Sequence, residues 1–327
     1  MDYHIIMKRL FKLLFLTPMI LFNSGCNQNT PDNPPEPPAV DPVPVDVVVI
    51  SGQSNAVGCT YSKEIKNSMG ATKYQDYMYG FPGIQIAYDS WTKDWNKDGQ
   101  AIFYSQNTSK DNNFMKVMLG QGNSQATFGP EIGIAETLNE KYQGKLFLIK
   151  YACGASNLKD DWAQKDSPMY PRLIEYVKLQ IKNLKDAGYI PTIKAFCWMQ
   201  GEGDSYEGYY QKYLENTREF VTNFRTDLRE FADNKDIPFI DAGINNSKYD
   251  PSSGQQGLVW QYYKQVNEAK KQFSEESENN IYIDTIEAGM HTNLEPRGSV
   301  DPCHYDSESQ VLLGTLFAQN FEKFLAK

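Results

Sequence analysis

Apolar residues along the chain fall into two alternating patterns. Asp46–Ile50 (DVVVI) is a short β-branched run, the signature of a strand buried on both faces. Lys145–Tyr151, Thr192–Met199, Ile237–Ala242 and Ile281–Ile286 are runs of the same kind. Between them the period becomes helical. Glu131–Tyr142 starts behind Gly129 and Pro130, with a proline near the first turn. Leu173, Ile174, Val177, Ile181 and Leu184 recur at helical spacing and stop at Gly188. Tyr209–Phe231 and Val259–Glu275 are further helices, and Ser307–Leu325 is the last. Five strands separated by helices predict a parallel sheet covered on both faces, an α/β fold. No internal repeat is visible.

Cys59–Thr127 breaks this rhythm, with nearly seventy residues and no clear alternation. It carries Tyr61, Tyr74, Tyr77, Tyr79, Phe81, Tyr88, Trp91, Trp95, Phe103 and Tyr104. An insertion directly after the first strand is expected at that strand's carboxyl end, where open α/β sheets bind ligands. Aromatic rings there can stack on sugars; for most of them, filling a small local core is the favoured reading.

The amino terminus reads as an address. Lys8, Arg9 and Lys12 precede the apolar run Leu13–Phe22, a charged region followed by a hydrophobic one. The run is too short for a spanning helix, which needs about 20 residues. It ends at Ser24-Gly25-Cys26, which resembles a bacterial lipoprotein signal with Cys26 as the lipidated residue, although Asn23 stands where Leu is usual. The alternative is an ordinary cleaved signal with an incidental cysteine. Residues 27–44 hold seven prolines and no glycine, a composition that favours extended chain. The expected organisation is a signal over 1–26, a tether over 27–44 and one domain over 45–327 with its insertion at 59–127. The expected location is the periplasm or cell surface, on a membrane through the lipid.

Charge and composition narrow the chemistry. Lys+Arg is 32 and Asp+Glu 41; without the three cations and the one acid of residues 1–26 the balance is 29 − 40 = −11. Such a chain lacks the basic patch that nucleic-acid binding needs. Three histidines, and no HExxH, CxxC or GxxxxGK[ST] pattern, argue against a metal site or a phosphate loop. No cofactor is expected.

The candidate reactive groups stand at strand ends. The first strand runs into Gly52-Gln53-Ser54-Asn55-Ala56, which places Ser54 on a tight turn like a nucleophile, though the pattern is not the GxSxG elbow. The second ends near Cys153-Gly154-Ala155 and the third at Trp198-Met199-Gln200-Gly201-Glu202-Gly203-Asp204. Asp301-Pro302-Cys303-His304 precedes the last helix. A serine hydroxyl needs a base, the base an orienting carboxylate, and the oxyanion fixed N–H donors. These loops hold all of them.

GQSN after a first strand, FGPEIG (Phe128–Gly133) opening a helix, the Gly154 loop, WMQGEGD and the terminal DxxH together resemble the SGNH-hydrolase superfamily. Within it the match is to the sialate O-acetylesterase and carbohydrate esterase family 6 branch, which includes acetyl xylan esterases. The resemblance covers roughly residues 45–325. It implies a flavodoxin-like three-layer α/β/α sandwich on a five-stranded parallel sheet of order 2-1-3-4-5. It further implies Ser54 as nucleophile and first oxyanion donor, Gly154 as a backbone donor and Gln200 as a side-chain donor. His304 matches the base and Asp301 its partner, which implies activity rising through an apparent pKa of about 6–7, shifted by Asp301. Gly203 stands where Ser or Ala is frequent, and the helix after His304 lacks the glycine often found a few residues on from that histidine.

Gln53 and Asn55 are read as braces of the serine loop. Glu202 either holds the loops together or replaces Asp301. His291 is read as a loop or substrate contact, and Trp162 as pocket wall or core. Cys59, Cys153, Cys197 and Cys303 are expected as mostly free thiols, a Cys59–Cys303 bridge being the alternative. The resemblance implies a serine esterase that removes O-acetyl groups from acetylated oligo- or polysaccharide, through an acetyl-enzyme, in the manner of an acetyl xylan esterase. A sialate O-acetylesterase acting on sialoglycans is the rival, for which Arg297 is a candidate carboxylate contact. A non-catalytic glycan-binding lipoprotein is the rival from another class, one that need not keep the serine, aspartate and histidine.

Overall fold

The structure is a computed structural model that describes residues 41–233, 235–250, 253–292, 295 and 301–325. The signal segment, Cys26, the tether up to residue 40 and Arg297 lie outside the described residues.

In chain order the strands are β1 (Val43–Gly52), β2 (Thr60–Tyr61), β3 (Phe81–Trp95), β4 (Ala101–Thr108), β5 (Met115–Val117), β6 (Thr127–Phe128), β7 (Leu146–Gly154), β8 (Tyr189–Met199), β9 (Phe239–Ala242) and β10 (Asn280–Ile283). The helices are α1 (Ser54–Val57), α2 (Ile65–Ser68), α3 (Ala71–Tyr79), α4 (Glu131–Tyr142), α5 (Leu158–Asp161), α6 (Tyr170–Asp186), α7 (Tyr213–Asp227), α8 (Tyr263–Ser274) and α9 (Ser307–Phe321).

The main sheet runs β10-β9-β8-β1-β7-β3-β4, with β5 also paired to β3. Its five predicted strands stand in the predicted order, β7-β1-β8-β9-β10, all parallel. The sheet then continues beyond five. The insertion, legible in sequence only as a break in alternation, supplies β3, which pairs parallel to β7 from Ile84–Leu146 to Thr92–Gly154. β4 returns antiparallel as a hairpin, and β5 covers the first part of β3. The signal was missed because β3 alternates half-buried and buried residues and lacks the apolar run of a central strand. β1 starts at Val43, earlier than the expected Asp46 and inside the segment expected as tether, because Val43 and Pro44 find partners in Tyr189 and Ile190.

α4 and α9 pack on one another, while α6 meets α7 through Tyr170 and Phe220, and α7 meets α8. Gly133 and Gly314 let the first pair touch backbone to backbone: a Cβ on Gly133 would lie 1.9 Å from the Val311 carbonyl, and one on Gly314 would lie 1.9 Å from that of Pro130. Under the other layer Phe196, Trp198, Phe220, Phe224 and Phe239 form an aromatic core. This packing fixes the carboxyl ends of β1, β7 and β8, and the loops that leave them.

Candidate active site

β1 ends at Gly52, whose φ of +134° and close approach to β8 require glycine: a Cβ there would stand 2.0 Å from the Met199 carbonyl oxygen. The chain then turns directly into α1, with Ser54 as its first residue. Backbone N–H groups at a helix start have no partner within the helix. Ser54 is partly exposed. Gly154 stands beside it, since a Cβ on Gly154 would lie 4.0 Å from Ser54 Cβ.

His304 and Asp301 form a compact turn. Asp301 Oδ2 meets His304 Nδ1 at 2.7 Å, while Oδ1 accepts from the backbone N–H of Cys303 at 2.9 Å and of His304 at 3.2 Å. Burial works against a charged imidazole, but Cys59 and the Asp301 carboxylate outweigh it and push His304 up to about 10. The turn is seated from behind: Thr60 Oγ1 donates to the Tyr305 carbonyl at 2.7 Å, and the carbonyl of His291 accepts from Asp306 N–H at 3.1 Å. His291 thus supports the loop through its backbone.

Asn55 joins this turn to the serine loop. Its Nδ2 donates to Glu202 Oε1 at 2.7 Å and reaches the Cys303 carbonyl at 3.5 Å, and its Oδ1 accepts from Tyr305 N–H at 3.2 Å. Gln53 Oε1 accepts from the backbone of Gly203 at 3.0 Å and of Gly201 at 3.3 Å. Through these bonds both side chains link the serine loop to neighbouring loops. Glu202 is fully buried, which raises its pKa; its Oε2 lacks a partner among the described residues.

Gln200 departs from its expected role as an oxyanion donor. It is fully buried, and its amide nitrogen donates to Asp204 Oδ2 at 2.6 Å and to Gln53 Oε1 at 3.2 Å. A primary amide has two hydrogens, and both are committed. Gln200 is a brace. Its partner Asp204 also accepts from the backbone of Leu158 and Lys159, tying the third loop to the one after Gly154, and burial pushes it up to about 6.

Other groups escaped the sequence reading. Lys150, fully buried in β7, donates to the carbonyls of Val57 at 3.0 Å and Gln121 at 2.6 Å and to Glu131 Oε2 at 2.7 Å. It clamps the end of α1 to the Glu131 of FGPEIG; the signal was a lysine inside the apolar run LFLIKYA. Lys270 pairs with Asp241 behind the third loop. Trp162 is core, its indole N–H on Ser156 Oγ at 2.8 Å and its ring edge-on to Trp198. Cys59, Cys153, Cys197 and Cys303 are all unbridged. Among the described residues no cluster of His, Cys, Asp and Glu fits a metal ion. Of the insertion's aromatics, Tyr77 and Tyr88 are buried and Tyr74, Phe81, Trp91 and Phe103 pack against the core, while Tyr61, Tyr79, Trp95 and Tyr104 are exposed.

The family described as carbohydrate esterase, sialic acid-specific acetylesterase, matches residues 44–323. Among solved structures the chain is similar to a protein from Arabidopsis thaliana, at 20% identity and a TM-score of 0.56, over 86% of this chain and 100% of that one. It is also similar to NanS, at 13% identity and a TM-score of 0.51, over 87% and 98%. At these identities the likeness is one of fold. No curated protein matches the sequence.

Proposed function

Because the chain belongs to the carbohydrate esterase family of sialic acid-specific acetylesterases, we propose that it is a serine esterase in which Ser54, His304 and Asp301 deacetylate a glycan. The observation that carries this reading is the 2.7 Å bond between Asp301 and His304, in a turn that Asn55 ties to the Ser54 loop. Ser54 Oγ attacks the acetyl carbonyl while His304 takes its proton. The backbone N–H groups of Ser54 and Gly154 receive the oxyanion. The sugar hydroxyl leaves with the proton from His304, and the acetyl group stays on Ser54. Water then attacks the acetyl-enzyme, giving its proton to His304, and acetate departs as Ser54 regains a proton.

The substrate reading is an acetylated polysaccharide of the xylan kind. A sialate ester is the second reading, supported by the specificity in the family's description. Acetate release from acetylated xylan and from O-acetylated sialic acid, measured side by side with Ser54→Ala as control, tests both. Aryl acetate turnover that persists in Ser54→Ala overturns the nucleophile. A wild-type protein inert toward aryl acetate overturns catalysis and leaves the glycan-binding lipoprotein. Ser24-Gly25-Cys26 supports an anchor on Cys26, with the proline-rich segment as tether and a periplasmic or surface location.

A further inference from the structure

We propose that Thr92, from β3 of the insertion, closes an acyl pocket beside Ser54 and confines the enzyme to acetyl esters. The proposal rests on the serine esterase reading above. Thr92 pairs with Gly154, and side chains of paired residues in neighbouring strands stand on the same face of a sheet. Gly154 has no side chain, so Thr92 looks across it toward Ser54. A Cβ on Gly154 would lie 3.5 Å from Thr92 Oγ1, 3.7 Å from the Trp91 carbonyl oxygen and 4.0 Å from Ser54 Cβ. All three are ordinary contact distances, and the φ of Gly154 is outside the left-handed range. Packing and backbone would therefore accept alanine here, unlike at Gly52. The missing side chain leaves open ground between Ser54 and Thr92. Thr92 is half-buried, so that ground can be reached from solvent.

The acyl group points to this side. Asn55 ties the His304 turn to Glu202, in the loop after β8. β8 and β7 flank β1 on opposite sides. The leaving sugar oxygen must stay within reach of His304, so it lies toward β8, and the acyl chain extends toward β7 and β3. Length then decides what fits. Ser54 Cβ and Thr92 Oγ1 can be no more than about 7.5 Å apart, the 4.0 and 3.5 Å legs laid end to end. On an acetylated serine the methyl carbon stands about 3.7 Å from Cβ, by ordinary bond lengths. A methyl group needs roughly 3.5 Å more to clear an oxygen atom. Acetyl therefore fills the gap. Each further methylene adds about 1.3 Å and presses on Thr92, the overpacking that a close-set site resists. Thr92 Oγ1 has an acceptor of its own in the Lys93 carbonyl at 3.5 Å, so it serves here as a wall.

The test is an acyl series, p-nitrophenyl acetate against p-nitrophenyl butyrate, read as the ratio of their kcat/KM. The wild type should prefer acetate. In Thr92→Ala, which removes the wall atom, the butyrate-to-acetate ratio should rise on the order of 10-fold. Thr92→Val keeps the shape without the hydroxyl and should keep the wild-type ratio. An unchanged ratio in Thr92→Ala overturns the pocket, as does a wild type that takes butyrate as readily as acetate; both leave the esterase reading intact. Equal losses of kcat in Thr92→Ala and Thr92→Val, with the ratio unchanged, would make the hydroxyl an oxyanion donor and also overturn the wall. Turnover of both esters that persists in Ser54→Ala overturns the nucleophile, and the pocket with it.

Discussion

Asn55 donates to Glu202 at 2.7 Å, and both side chains are fully buried. The bond matters because Asn55 also holds the residues on either side of His304, the carbonyl of Cys303 and the N–H of Tyr305. Glu202 thus orients the imidazole at one remove.

Two substitutions separate that positioning role from the charge on Glu202. Glu202→Gln keeps an acceptor for Asn55 and should stay within about 10-fold of wild-type kcat. Glu202→Ala frees Asn55 and should lower kcat by roughly 10²-fold, the scale of a small misplacement of a reacting group. Steady-state kinetics on p-nitrophenyl acetate reads both. Equal losses in the two variants would show that the carboxylate charge matters more than the bond.

Gln200 should behave as a brace. With its amide on Asp204 and Gln53, Gln200→Ala should reduce the melting temperature, while kcat falls far less than the roughly 10²–10³-fold expected for a lost oxyanion donor. Gln200→Glu should be worse for stability, because it sets a second buried carboxyl against Asp204. A large drop in kcat with an unchanged melting curve would restore the donor role.

The pH profile follows from His304. As the proposed base, His304 must be unprotonated to accept from Ser54, and Cys59 and Asp301 raise its pKa to about 10 against the effect of burial. The ascending limb of kcat/KM should therefore lie above the ordinary histidine value of about 6.5, more alkaline than sequence alone predicts. Asp301→Asn should move it down. A limb at or below 6.5 in the wild type would contradict the electrostatics of the turn.

Gly133→Ala or Gly314→Ala should destabilise the domain although both are helical. Alanine gains about 1 kcal/mol of helix propensity over glycine. Each new Cβ, however, would meet a carbonyl oxygen at 1.9 Å, so α4 and α9 must separate. We expect a net loss of about 2 kcal/mol or more, read by urea or thermal unfolding.

For the anchor, the full chain expressed in a Gram-negative host should partition into detergent, and Cys26→Ser should release or misprocess it. A soluble mature form without a lipidated cysteine, identified by mass spectrometry, would remove the anchor.

The parts legible in sequence were those with a strong local pattern. Buried parallel strands read as β-branched runs, and α4 begins and ends as its proline and periodicity predict. The serine turn and the DxxH turn are short-range structures, so their residues announced themselves. β3 was hidden because it lies near the sheet's edge and its burial depends on β5 and β7, partners distant in sequence. Gln200 was misread for a related reason. Its place after β8 is visible in sequence, but the direction of its amide is decided by Asp204, Gln53 and Tyr213 in three dimensions. The Lys150–Glu131 clamp likewise joins a strand to a helix start, and only the oddity of a lysine in an apolar run hinted at it.

The edge that hid β3 also governs how the molecule meets its neighbours. An uninterrupted free strand invites another chain to add to the sheet, the first step of polymerisation. β3 is covered in two pieces, by β5 against Phe81–Ile86 and by β4 against Asp89–Trp95, with a shift of register in each. What remains open on that side, among the described residues, is the three-residue β5 and the eight-residue, irregularly paired β4. The opposite edge, β10, is only four residues long. Among the described strands β10 is short and the cover of β3 is broken in two, which limits both margins as templates; β4, eight residues long with Ile102 and Tyr104 exposed, is where a second chain would add.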